Sequence, residues 1–174
     1  KRINIYVNDS GDQEYGIGQN ETKNIDLKMN LSEKDWYVFN ENYGTSEEKF
    51  LVRYIDKMYD KLKEKYDTVY LVRNEKHFQI YNFHDGRPFE PDFLLFLAKK
   101  EQDISIQYQV FIEPKGEHLI QTDRWKEDFL KELKEEHKIE VLWKNKDFNI
   151  WGMPFYNERI KKQEFDESFK TLVE

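Results

Sequence analysis

Cysteine is absent from the 174-residue chain. That excludes disulfide scaffolds, thiolate catalysis and cysteine-ligated zinc, and it leaves an intracellular location open. Long apolar runs are missing too, since no stretch reaches the roughly 18–20 residues of a membrane-spanning helix. The opening Lys1-Arg2-Ile3-Asn4-Ile5-Tyr6 reads as a strand and not as an apolar leader. No initiator Met precedes it, so the chain is expected to be an excised piece of a longer protein or a processed one. Basic charge is in deficit: the formal net charge is -7. That sign counts against strong autonomous binding of nucleic acid, unless acidic groups conceal a local basic strip or other regions supply the grip.

Several motifs are also lacking. Gly16-Ile17-Gly18 has neither the third glycine and helix of a dinucleotide site nor the Lys-Ser/Thr of a P-loop, so it reads as a turn. No serine or threonine sits in a nucleophile elbow. His77, His84, His118 and His137 show no zinc-ligand spacing and are expected on the surface or in packing.

What the chain has is aromatic mass: 13 Phe, 11 Tyr and 4 Trp, enough to build a core from few positions. Residues 1–43 alternate in short runs (Ile3, Ile5, Val7; Ile25, Leu27, Met29, Leu31) and are expected to form a β-rich N-terminal extension. A helix starts after Thr45 or Ser46, its apolar stripe made by Leu51, Tyr54, Ile55, Met58 and Leu62. Strands are expected over 68–72, 78–83, 93–97 and 104–112, joined without helices and therefore as hairpins or a meander. A second helix over about 122–137 leads into a strand over 139–143 that can run parallel to an earlier one. Residues 150–156 suggest an edge strand limited by Pro154. The tail, 157–174, is polar and in part helical. The class is α/β, in the order helix, three to four strands, helix, strand.

Two short motifs carry chemistry. Asp92 follows Pro91 where a turn enters an apolar strand, so its carboxylate can face a cleft while Phe93 and Leu94 anchor it. Glu113 and Lys115 lie two apart at the end of a strand and point to the same face. Between them Pro114 keeps a carbonyl oxygen but has no amide donor, which interrupts strand pairing. Mg2+ needs only one or two carboxylates beside its waters, and a neighbouring ammonium can hold a water or stabilise phosphate charge.

Pro91-Asp92 and Glu113-Pro114-Lys115, each on a strand between flanking helices, resemble the PD-(D/E)xK nuclease superfamily. The stretches Phe89-Glu90-Pro91-Asp92-Phe93, Glu113-Pro114-Lys115-Gly116-Glu117-His118-Leu119 and Trp125-Lys126 are more narrowly similar to the C-terminal endonuclease domain of type III restriction enzyme restriction subunits. The resemblance covers residues 44–156. It implies a restriction-endonuclease-like αβββαβ core with a mixed central sheet flanked by helices. It implies Mg2+, with Mn2+ as a substitute, on Asp92, Glu113 and the Pro114 carbonyl, and a water positioned by Lys115. It also implies a helical glutamate: Glu47, with Glu48 as competitor. His118 and Gln121 are supporting candidates. The implied partners are double-stranded DNA, an N-terminal helicase domain that would use ATP, and a modification methyltransferase subunit, in the bacterial cytoplasm. Two alternatives stand beside it: a non-catalytic DNA- or protein-binding module on the same fold, and the nuclease domain of another repair or defence helicase.

Overall fold

The computed structural model describes residues 11–101, 104–136 and 146–174. Helix α1 (Ser46–Lys65) is set by a capping box: the Thr45 hydroxyl accepts from the Glu48 amide, and the Glu48 carboxylate accepts from the Thr45 amide at 2.6 Å. Strand β1 (Thr68–Arg73) follows, then a small hairpin of β2 (Ile80–Tyr81) and β3 (Pro88–Phe89), then the long strands β4 (Phe93–Glu101) and β5 (Ile104–Ile112). Helix α2 (Arg124–Glu136), strand β6 (Lys146–Gly152) and helix α3 (Lys162–Val173) complete the chain.

Four strands form one mixed sheet in the order β1-β4-β5-β6. β4 is antiparallel to β1 and β5, with Leu95 opposite Leu71 on one side and Val110 on the other; β5 and β6 run parallel. The α/β reading therefore holds, with the mixed sheet flanked by helices. β4 sits between two neighbours, and its sides alternate between two cores. Phe93, Leu95 and Leu97 join α1 and α3 residues on one face, while Leu94 packs with Phe89, Phe129, Leu130 and Leu133 on the other. A central strand covered on both faces explains the unbroken apolar run at 93–97.

Three expectations change. The alternating residues 25–31 make no strand: they form turns and an extended stretch before a 3-10 turn, Leu31–Glu33. Ile25 is exposed while Leu27 and Leu31 are buried, and the Met29 amide donates to the Gln19 carbonyl instead of to a ladder. Among the described residues the N-terminal extension is thus not β-rich; its one sheet-like contact is a bridge from Tyr37 to Leu71. The expected strand 78–83 shrinks to the two residues of β2. The expected strand 139–143, like the one at Ile3–Val7, lies outside the described residues, and the parallel strand of the sheet is 146–152. The tail contributes more than its composition suggests, because Phe165, Phe169 and Leu172 of α3 are fully buried in the main core.

Gly152 ends β6 directly beneath α2. A Cβ there would lie 2.0 Å from the Leu130 carbonyl oxygen, a backbone atom with no room to yield. Gly152→Ala is expected to destabilise the fold by about 3 kcal/mol, at the upper end of overpacking costs, as read from urea midpoints. Among the described residues no helix is long and apolar enough to cross a membrane.

Candidate functional site

The antiparallel ladder of β4 and β5 stops at Phe93 opposite Ile112. One step further the backbone amide of Asp92 donates to the Glu113 carboxylate, Oε2, at 3.0 Å. A side chain therefore takes over where the next ladder bond would fall. Beyond it the chain turns to a new partner: the Tyr156 amide donates to the Glu113 carbonyl (3.0 Å), and the Lys115 amide donates to the Tyr156 carbonyl (2.8 Å). Pro114 bridges Tyr156 without needing an amide, which accounts for a proline at this point in the sheet. No described residue donates to the Pro114 carbonyl.

Glu113 and Lys115 meet side chain to side chain, and Asp92 joins them through its backbone amide. The Lys115 ammonium lies 2.7 Å from Glu113 Oε1 and 2.9 Å from Asp123 Oδ2. Burial disfavours that ammonium, but the charge and hydrogen bond of Glu113, then Asp92 and Asp123, outweigh burial and hold Lys115 above the ordinary lysine range. Asp92 is pushed the other way. Burial, then the charges of Glu113 and Glu48, raise its carboxyl well above the ordinary aspartate range against the pull of Lys115 and Arg73. Asp92 as a residue keeps intermediate exposure, although protein crowds its carboxyl closely enough for burial to dominate. Its oxygens receive no hydrogen bond from any described residue.

Of the two helical glutamates, Glu48 is the one whose charge reaches Asp92. It is buried, caps α1 and pairs with Arg73, whose Nε and second terminal nitrogen lie 3.0 and 2.9 Å from Oε1. Glu47, the first choice from sequence, points toward residues 157–158. It accepts from Asn157 Nδ2 at 3.1 Å and from the Glu158 amide at 3.0 Å. The link from Glu47 to the site is indirect, because the same Asn157 amide nitrogen also donates to the Lys115 carbonyl at 3.0 Å. Burial raises the Glu47 carboxyl, partly offset by the Glu158 amide. His118 sits on the 3-10 turn Glu117–Leu119 and is exposed, as is Gln121; neither touches the cluster. Trp125 is half-buried against the second core, with Arg87 over its ring at 4.2 Å. His77 and His84 are exposed, the latter paired with Glu132; His137 lies outside the described residues.

Sequence reasoning missed Asp123, Arg73 and Asn157. Asp123 immediately precedes α2, a position where a short acidic side chain is common, and that was the one available signal. Nothing local marks Arg73 or Asn157, since their roles come from segments far apart in the chain.

Two carboxylates and a free carbonyl are hard oxygen donors of the kind Mg2+ takes. No group of three or more His, Asp or Glu side chains converges as a metal cluster among the described residues. The donor chemistry fits a cation that keeps most of its waters, and the Asp92 carboxyl is raised by burial first and by the charges of Glu113 and Glu48 next, against Lys115 and Arg73. The groove between α1 and α3, about 500 Å³ and lined by Tyr54, Lys162 and Asp166, lies away from these residues.

Fold and cluster together define an α/β domain with two carboxylates and a buried lysine gathered at the end of a mixed sheet. The chain belongs to the family described as HI_1054_C, C-terminal domain, whose model matches residues 15–173. It is similar to a Haemophilus influenzae protein named "Uncharacterized protein", with 40% identity over 156 residues that make up 84% of this chain and 34% of that protein. The chain thus spans about a third of the length of the curated relative it matches. No solved structure matches it.

Proposed function

We propose that this domain is a Mg2+-dependent endonuclease of the PD-(D/E)xK type that hydrolyses phosphodiester bonds in double-stranded DNA. The observation that carries the reading is the meeting of Asp92, Glu113 and Lys115 where the β4–β5 ladder ends, with Glu113 2.7 Å from the ammonium and 3.0 Å from the Asp92 amide. Asp92, Glu113 and the Pro114 carbonyl would hold the ion. When bound there, Mg2+ would lower the pKa of a water and offset charge on the phosphate under attack. Lys115 stays protonated among its carboxylates, so it serves as a fixed positive charge that orients the water and stabilises phosphate oxygens, and not as a proton acceptor. Glu48, itself held by Arg73, adds negative potential at Asp92 and so favours a cation there. Glu47 acts from further out, through Asn157 on the Lys115 backbone.

The net charge of -7 suits a cutting domain that relies on other regions for DNA affinity. The Haemophilus influenzae relative is about three times as long as the matched region, which leaves room for them. On the resemblance carried by Phe89-Glu90-Pro91-Asp92-Phe93, Glu113-Pro114-Lys115-Gly116 and Trp125-Lys126, the proposed setting is a type III restriction-like system. An N-terminal helicase domain would use ATP, a modification methyltransferase subunit would be the partner, and the setting would be the bacterial cytoplasm. One observation favours a second reading, a non-catalytic DNA- or protein-binding module: both Glu113 oxygens are already occupied, by Lys115 and the Asp92 amide.

Metal removal separates the two. With full-length protein, duplex DNA, ATP and the partner subunit, chelation by EDTA is expected to abolish cleavage, and added Mg2+ or Mn2+ to restore it. Cleavage that survives chelation sinks the metal-dependent mechanism, and no cleavage under any condition favours the binding module.

A further inference from the structure

Lys115 has two carboxylate partners, and they differ in kind. Glu113 is also a ligand candidate, and its Oε2 is tied to the Asp92 amide. Asp123 is not a ligand candidate. It stands at the start of α2, eight residues beyond Lys115, and the intervening 3-10 turn Glu117–Leu119 folds the chain back so that Oδ2 reaches the ammonium at 2.9 Å. The same oxygen accepts from Lys126 Nζ at 3.0 Å. Burial disfavours the Asp123 carboxylate, but hydrogen bonds from Lys115 and Lys126 outweigh it and keep the group ionised. The Lys126 ammonium also lies near the rings of Phe89 and Trp125, 5.7 and 6.0 Å from their centres. Asp123 is thus locked on a rigid element: its backbone amide donates to the Leu119 carbonyl at 2.9 Å, and its carbonyl accepts from the Lys126 amide at 2.8 Å.

We infer that Asp123 is a positioning residue for Lys115, holding the ammonium in place from α2 independently of Glu113. The inference rests on the nuclease reading for its catalytic consequence and on geometry alone for the contact. Its value to the site is a division of labour. Once the Glu113 oxygens are committed to a cation, Asp123 is the carboxylate left to fix Lys115, so the lysine keeps its direction while Glu113 changes partners. An ammonium released from Asp123 would swing on a four-carbon stem, and misplacement by an ångström is enough to cost a reaction dearly.

The test has two independent readouts on the full chain. The first is the side-chain ammonium signal of Lys115 in protein labelled with 15N-lysine, assigned by its loss in Lys115→Met. A buried ammonium fixed by two carboxylates should give a resolved signal that moves or broadens beyond detection in Asp123→Asn and is recovered in part by Asp123→Glu. The second is DNA cleavage, where Asp123→Asn should lower the single-turnover rate by roughly tenfold to a hundredfold while leaving duplex affinity within about twofold of wild type, with partial rescue by Asp123→Glu. Far-UV circular dichroism on both variants establishes that the fold persists, and Asp123→Glu carries the test if Asp123→Asn does not fold. A Lys115 signal unchanged in Asp123→Asn, or a loss confined to duplex affinity, overturns the positioning role. A shifted signal in a protein that never cuts DNA leaves the contact standing and defeats the nuclease reading instead.

Discussion

Asp92→Asn should give a protein that is more stable than wild type without metal and inert as a nuclease. Burial and the charges of Glu113 and Glu48 raise the Asp92 carboxyl in the folded state, so the fold holds that proton more tightly than the unfolded chain does. The stabilisation from protonation is complete below the unfolded value, about pH 4, and is lost as pH rises through the raised folded value. Above that window wild type carries a buried carboxylate that Lys115 and Arg73 offset only in part, and the asparagine variant does not. The melting temperature of Asp92→Asn should therefore exceed that of wild type at neutral pH, by about 2–4 °C for each kcal/mol relieved in a chain of this size. The gap should close as pH falls toward 4. Mg2+ should raise the wild-type melting temperature and leave the variant unmoved. The trade of stability for a functional charge is a common one. A variant that melts below wild type at pH 7 would mean that Asp92 is a structural partner.

Lys115→Met has the opposite sign. Lys115 is buried between Glu113 and Asp123, and its loss leaves two carboxylates facing each other with Asp92 nearby. Removing one member of a buried ion pair costs about 3–5 kcal/mol because the remaining charge stays desolvated. The shift should appear as a lower urea midpoint with an unchanged slope. Lowering the pH should recover part of the loss, since protonation of the orphaned acids relieves it. Cleavage should be lost as well, and Lys115→Arg should recover stability better than activity, because a planar guanidinium can pair with both carboxylates but cannot occupy the same point. A midpoint within about 0.5 kcal/mol of wild type, the range of an ordinary surface substitution, would contradict the buried-pair account.

The strands that build the site were readable because their neighbours leave them no choice. The run 93–97 is apolar at every position because β4 is covered on both faces, and 104–112 alternates because Tyr108, Val110 and Ile112 share the face toward the main core, while the other face, among the described residues, reaches the second core only at Phe111. The helix start was readable to within one residue, Thr45 or Ser46, from local chemistry, and the structure has Thr45 as the cap. The N-terminal region misled because Ile25, Leu27, Met29 and Leu31 alternate like a strand, whereas hydrogen bonds to Gln19 and Asn24 hold the backbone in turns. The parallel edge strand was readable only at its end: residues 150–156 suggested an edge strand, but it runs over 146–152, its start masked in the sequence by Lys146, Asp147 and Asn149. The tail looked peripheral because its apolar residues are few, yet Phe165, Phe169 and Leu172 recur at helical spacing and all reach the core. Within the site, strand period placed Glu113 and Lys115 on one face. Spacing alone could not rank Glu47 and Glu48, one helical step of about 100° apart, because the choice depends on Arg73 from β1 and Asn157 from beyond β6.

Cleavage by the intact protein tests the proposed site most directly. Wild type, Asp92→Asn and Lys115→Met should be incubated side by side with supercoiled plasmid, Mg2+, ATP and the modification subunit. Wild type is expected to nick and linearise the DNA, while both variants bind it and leave it intact. Equal cleavage by wild type and Asp92→Asn would contradict the account.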